Sequence, residues 1–205
     1  MNLAILASFI GLILIVSISL KKQARLNKKK EEDFWSRENR ANSVRRKSLD
    51  GLNYIKIPLE TFPTRLMNEN PQVLECIDIL ETLSSQKIVN FTGWSNTDLK
   101  LEYGTANITV LTEYDQNYTV LVRTLQKWAD LLLEAGCAGE AAGLMEFAVS
   151  IDTDISRTYY LLADYYASRG QYNDIDRLRE KAKNLRSVNR DAIVAHLKDS
   201  YPDVF

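Results

Sequence analysis

VRTLQKWADLLLEAGCAGEAAGLMEFAVSIDTDI, residues 122–155, runs directly into SRTYYLLADYYASRGQYNDIDRLREKAKNLRSVN, residues 156–189, and this pair of segments decides the fold. Set one above the other, the two 34-residue segments agree at eight positions: Arg123/Arg157, Thr124/Thr158, Ala129/Ala163, Asp130/Asp164, Gly136/Gly170, Leu144/Leu178, Glu146/Glu180 and Ala148/Ala182. Ordinary composition yields roughly two such matches by chance. A fixed period of this length marks a supersecondary unit that buries its apolar face only by stacking on a neighbour.

The period and the positions of the matches resemble the tetratricopeptide repeat. In that comparison Ala129 and Ala163 occupy the small position where paired helices approach closely, and Gly136 and Gly170 sit in the turn between them. Ala148 and Ala182 supply the second close-packing position, Leu132 and Tyr166 the larger packing position of the first helix, and Ala141 the alanine of the second helix. Ile175 stands where that alanine is usual, and no proline closes either copy. The resemblance covers 68 of the 205 residues. It implies a right-handed α-solenoid whose first helices line a groove carrying Arg123, Gln126 and Asp130 from one repeat and Arg157, Tyr160 and Asp164 from the next.

Arg and Asp seven residues apart lie two turns apart on one helical face. Two uses of that face follow. A mixed-charge groove would bind a peptide of an unknown protein partner, or each Arg would pair with a neighbouring Asp and order the stack. The Lys and Asn pattern with which family members clamp a terminal carboxylate is missing, because Asp130 and Asp164 would repel that ligand. Of the tyrosines from 159 to 172, Tyr159 and Tyr166 fall at interior positions, and Tyr160 is the candidate contact.

Two repeats bury too little surface to stand alone. Residues 190–205, with Ala192, Ile193, Val194 and Leu197, are expected to form a capping helix and tail, and residues 51–121 a helical and irregular portion covering the other end. Asn70 and Pro71 form a cap and first-turn pair before Val73, Leu74, Ile77, Leu80 and Leu83, so the spacing predicts an amphipathic helix over 71–84. Upstream, Tyr54, Ile55 and Ile57 favour extended structure and Pro58 and Pro63 forbid a continuous helix, which predicts an irregular or short-strand lead-in. Thr97 is a plausible N-cap. Helical pattern runs from about 106 to 114 and resumes at about 118.

Ahead of all this, residues 3–20, LAILASFIGLILIVSISL, carry no charge. At about 1.5 Å per residue they span roughly 27 Å, the thickness of a bilayer's hydrocarbon. A signal peptide would begin with positive charge and end in a small-residue cleavage site, and neither is present, so residues 1–20 are expected to be a retained transmembrane anchor. Residues 21–47 hold eleven Lys or Arg against four Asp or Glu, while the rest of the chain carries −8. Lys21, Lys22, Arg25, Lys28, Lys29 and Lys30 next to the anchor place the C-terminal domain in the cytoplasm of a single-pass cell-membrane protein. Each basic side chain beside an anionic leaflet is worth about 1 kcal/mol, so residues 21–50 read as a basic juxtamembrane linker with possible anionic-lipid contact. An acidic body behind a basic collar speaks against nucleic acid. The glycosylation triplets at Asn90, Asn107 and Asn117 would argue for the opposite orientation, but their number matches chance. FWSRENRANSVRRK (34–47) followed by SNTDLKLEYG (95–104) loosely resembles segments of uncharacterised membrane-anchored proteins of Gram-positive bacteria, a likeness that implies no activity.

Chemistry is sparse. The single histidine, His196, has no partner placed by spacing, Cys76 and Cys137 form no metal or redox motif, and no P-loop, GxGxxG, GxSxG or CxxC occurs. The expectation is therefore a mostly all-α chain with no enzymatic activity and no cofactor, acting as a membrane-tethered scaffold for protein–protein interaction. The alternatives are a ligand sensor or enzyme whose site lies in residues 86–104 around Trp94, Asp98 and Tyr103, and a structural protein whose repeats self-assemble.

Overall fold

The computed structural model describes the backbone of residues 3–202 and, within the first helix, the side chains of residue 12 and of residue 16 onward. Among the described residues the chain is all-helical. Its α-helices are α1 (Leu3–Asn42), α2 (Pro71–Ser84), α3 (Asn96–Tyr103), α4 (Ile108–Glu134), α5 (Ala138–Ser150), α6 (Ser156–Ser168), α7 (Tyr172–Lys183) and α8 (Arg190–Ser200). Short 3-10 turns precede α2 at Leu59–Thr61 and α4 at Thr105–Asn107. The chain divides into two compact units, one built from α1 to Lys47 with residues 96–108, the other from residues 48–95 and 109 onward.

In the first unit α1 continues through the basic stretch without a break and ends at Asn42, so the linker is helical well past the apolar run. Most of the run Leu3–Leu20 lies outside the described side chains; among the described residues no helix is long and apolar enough to cross a membrane. Leu12, Val16, Ile18 and Leu20 are exposed. Phe34 and Trp35 are both exposed and meet each other edge to face, 5.4 Å between ring centroids. The end of α1 is instead held by α3: Arg37 pairs with Asp98, Glu38 with Lys100, and the Thr97 hydroxyl donates to Glu38 at 2.7 Å. Thr97 lies inside α3 rather than capping it. Asn107, fully buried, closes the unit by donating to the carbonyls of Lys47 (2.8 Å) and Tyr103 (2.7 Å) and accepting from Arg46 (3.0 Å). Gly104 adopts φ 87°, and any Cβ there would overlap the Arg45 carbonyl.

In the second unit α2 starts as expected, with the Asn70 side chain accepting from the Gln72 N–H at 2.9 Å and Pro71 in the first turn. Its buried stripe is Val73, Cys76, Ile77, Leu80 and Leu83, while Leu74 points to solvent. From Val73 the 3.6-residue period reaches 76, 77 and 80, which leaves 74 off the stripe. No strand forms at 54–57. Ile55 donates one backbone bond to Ile88 at 2.9 Å, and Pro58 then turns the chain into the 3-10 turn. The expected break between 114 and 118 is absent because its polar residues are used sideways: Asp115 accepts from the Phe91 N–H (3.1 Å) and Asn117 donates to the Lys87 carbonyl (3.0 Å).

The two 34-residue copies become two helix pairs, the second half of α4 with α5 and then α6 with α7. Their turns share the same backbone features. Gly136 (φ 76°) and Gly170 (φ 69°) are left-handed, and the following residues, Cys137 and Gln171, donate to Leu132 (2.8 Å) and Tyr166 (2.9 Å), satisfying carbonyls that the helix ends leave open. Ala129, Ala141, Ala163 and Ala182 are fully buried, so the helices approach without a side chain between them. Leu132, Leu144, Tyr159, Leu162 and Ile175 fill the layers, each such burial worth about 1.5–3 kcal/mol. α8 packs against both α6 and α7, with Ile193 and Leu197 fully buried.

Candidate functional site

The six residues expected in the groove lie along the first helices α4 and α6; three of them, Gln126, Asp130 and Arg157, contact one another, and Tyr160 and Asp164 contact side chains that follow the repeats. Gln126, buried to 8% exposure, donates to Asp130 at 2.9 Å and accepts from the buried Thr158 hydroxyl at 2.6 Å. Arg157 donates from Nε to both Asp130 oxygens, at 2.9 and 3.2 Å. An Arg of one repeat therefore meets an Asp of the preceding one. In the second repeat the same register is completed by α8 and the residue that ends it: Tyr160 stacks on His196 with 3.7 Å between ring centroids, and the Tyr201 hydroxyl donates to Asp164 at 2.5 Å. Burial and the adjoining Asp164 carboxylate push the Tyr201 hydroxyl's pKa up.

Arg123 stands at the open end of this register. It is exposed, makes no ion pair among the described residues, and borders a cavity of about 290 Å³ with Asp115 and Asp154. Burial raises the pKa of Asp115, partly offset by the Phe91 N–H. The strip thus runs from an unpaired Arg123 through Asp130–Arg157 to Asp164, with Arg123, Arg157 and Asp164 exposed. Thr158 and Tyr201 were not expected in it. The identity of Thr124 and Thr158 carried a signal for the first; Tyr201, outside the repeat, carried none.

A second concavity, about 450 Å³, lies in the same unit where stretches at 53–56, 89–94, 150–152 and 184–186 converge. Two of these are equivalent turns, since 150–152 plus one repeat length gives 184–186, but Asp152 in one corresponds to Arg186 in the other. Asp152 is left-handed (φ 63°), a conformation Asp tolerates, and pairs with Lys181 at 2.6 Å. Arg186 lies over the Trp94 ring, 5.8 Å from its centroid. Gly93 (φ 82°) lets the chain pass against Arg186, where any Cβ would overlap its carbonyl. Trp94 borders this cavity, whereas Asp98 pairs with Arg37 and the Tyr103 carbonyl accepts from Lys47 and Asn107 in the other unit.

Along α1, Ile18 and Leu26 share a shallow furrow with Lys21, Lys22, Arg25 and Lys29, a basic and apolar face. The side-chain nitrogens of all three glycosylation triplets are engaged as donors: Asn90 to the carbonyls of Ile151 and Asp152, Asn107 to those of Lys47 and Tyr103, Asn117 to that of Lys87. Among the described residues no group of three or more His, Cys, Asp or Glu is placed to hold a metal ion. Compared with known proteins, the chain matches no protein-family model, no curated protein and no solved structure.

Proposed function

We propose that this chain is a membrane-tethered protein–protein interaction module that presents the strip from Arg123 to Asp164 to a protein partner on the cytoplasmic side. The observation that carries the reading is the register of α4, α6 and α8, in which buried Gln126–Thr158 and the Asp130–Arg157 pair fix neighbouring first helices while leaving Arg123, Arg157 and Asp164 exposed. A surface whose charges are already held in place loses little side-chain entropy on binding. The tetratricopeptide-like period, with its left-handed Gly136 and Gly170, supports the same use of the first helices.

The tether is the apolar run Leu3–Leu20, and the basic face of α1 behind it sets the direction and adds attraction to an anionic leaflet. The engaged asparagines agree with a compartment that does not glycosylate them, since a glycan on the fully buried Asn107 would displace its two backbone acceptors. Arg123→Glu with Asp164→Lys changes both ends of the strip without breaking the Asp130–Arg157 pair. This double variant is expected to abolish proximity labelling of the partner in native membranes while keeping the helical circular dichroism. Unchanged labelling would refute the strip as the docking surface. Cys137 is half-exposed and Cys76 buried, so an impermeant thiol reagent should modify Cys137 only after permeabilisation. Modification in intact cells would refute the cytoplasmic orientation.

A further inference from the structure

We propose that the 450 Å³ cavity between the two equivalent turns binds a small ligand bearing a phosphate group, a role separate from the docking strip. The volume is that of a small-molecule site. Charge selects the ligand. Lys56 and Arg186 border the cavity and neither makes an ion pair among the described residues, while Lys87 lies over the ring of Tyr54, another bordering side chain, 5.1 Å from its centroid. Asp152 is the one carboxylate among the bordering residues, and Lys181 already neutralises it. The C-terminal ends of α5 and α7 add about half a negative charge each. Asn90 and Lys181 already engage carbonyls at the α5 end, so the cations prevail.

The setting of Arg186 suits an oxyanion. A guanidinium lying on an aromatic ring is held in place and keeps donors for a bidentate contact, which a phosphate accepts. Trp94 holds Arg186 in this way, and Gly93 permits the close approach that brings the two together. Asn53 and Thr92 supply neutral donors, and Val89 and Ile151 an apolar wall for the body that carries the phosphate. The repeat explains how the site arose: one copy of the turn keeps an acid that is paired away, and the other presents an arginine in its place.

The phosphate can belong to a soluble metabolite or to a lipid headgroup, and two arms separate these. The full chain is reconstituted in nanodiscs of phosphatidylcholine and titrated with phenyl phosphate, and separately in discs containing phosphatidic acid with no soluble probe, with amide hydrogen exchange read at 53–56, 89–94 and 184–186. Protection by phenyl phosphate supports a soluble ligand, and protection only with phosphatidic acid supports a headgroup. Either must weaken about tenfold or more in Lys56→Gln with Arg186→Gln. It must persist in Lys198→Gln with Arg177→Gln, which removes two cations elsewhere in the unit. No protection in either arm, or equal protection in both double variants, overturns the proposal.

Discussion

Four of the eight identities between the two repeats are buried in both copies, and several of the positions that differ give the two copies different neighbours. Ala129 and Ala163, Leu144 and Leu178, and Ala148 and Ala182 are identical pairs and all lie in the core. Gln126 and Tyr160 occupy one position, yet the first bonds across to Thr158 and the second stacks on His196. Asp152 and Arg186 also correspond, and carry opposite charge into the same cavity. The shared alanines and leucines build the stack, and the diverged residues give each copy its own contacts. The Arg–Asp register belongs to both classes, because its middle pair orders the helices while its ends, Arg123 and Asp164, face outward.

The largest expected effects test the shared positions. Leu144→Ala should cost about 2–5 kcal/mol in chemical denaturation of the detergent-solubilised chain, and Leu178→Ala should fall nearer the lower end. Leu144 is fully buried between repeats, whereas Leu178 lies in the last helix pair, which is followed by the single helix α8 rather than by another repeat. Equal losses would mean that α8 closes the stack as firmly as a repeat does. Next in size, Thr158→Val should cost about 1–3 kcal/mol by stranding the buried Gln126 carbonyl oxygen. Thr124→Val, at the equivalent position but without that partner, should cost less than about 1 kcal/mol in the same denaturation measurement.

A smaller effect separates the two units. Lys100 and Thr97 hold the Glu38 carboxyl below its ordinary value of 4.5, so the contact stabilises α3 on α1 above that pH and is lost as pH falls through the lowered value. The protection of amides 96–103 against hydrogen exchange, relative to their intrinsic rates at each pH, should therefore fall on acidification below 4.5 in wild type, and Glu38→Gln should show the lower protection already at neutral pH. Smallest of all, Arg157→Ala should change stability by less than about 1 kcal/mol, since the Arg157 side chain is largely exposed and Asp130 keeps its bond from Gln126.

Much of the helical core was legible because its signals are local or periodic. Asn70–Pro71 marks a helix start by capping chemistry alone, and a 34-residue period exposes the paired helices and their glycine turns. What escaped was set by contacts distant in sequence. Asp115 and Asn117 look like turn formers but serve as partners for Phe91 and Lys87 inside one long α4. The stretch 86–104 resisted assignment because it serves two units, its first part bordering a cavity and its second clasping α1. The two quoted stretches 34–47 and 95–104 proved to lie against each other through Arg37–Asp98 and Glu38–Lys100, a pairing that periodicity does not announce. Of the site, the Arg–Asp register was legible from spacing, but Thr158 and Tyr201 needed the packed helices.

The central claim, that the strip along the first helices is where a partner docks, is tested most directly by site-specific photocrosslinking in native membranes. Benzoylphenylalanine placed singly at Arg123, Arg157 and Asp164 is predicted to capture the same discrete partner, while the probe at exposed Leu74, Tyr172 and Val188 captures none. No capture from the strip, or equal capture from all six positions, would contradict it.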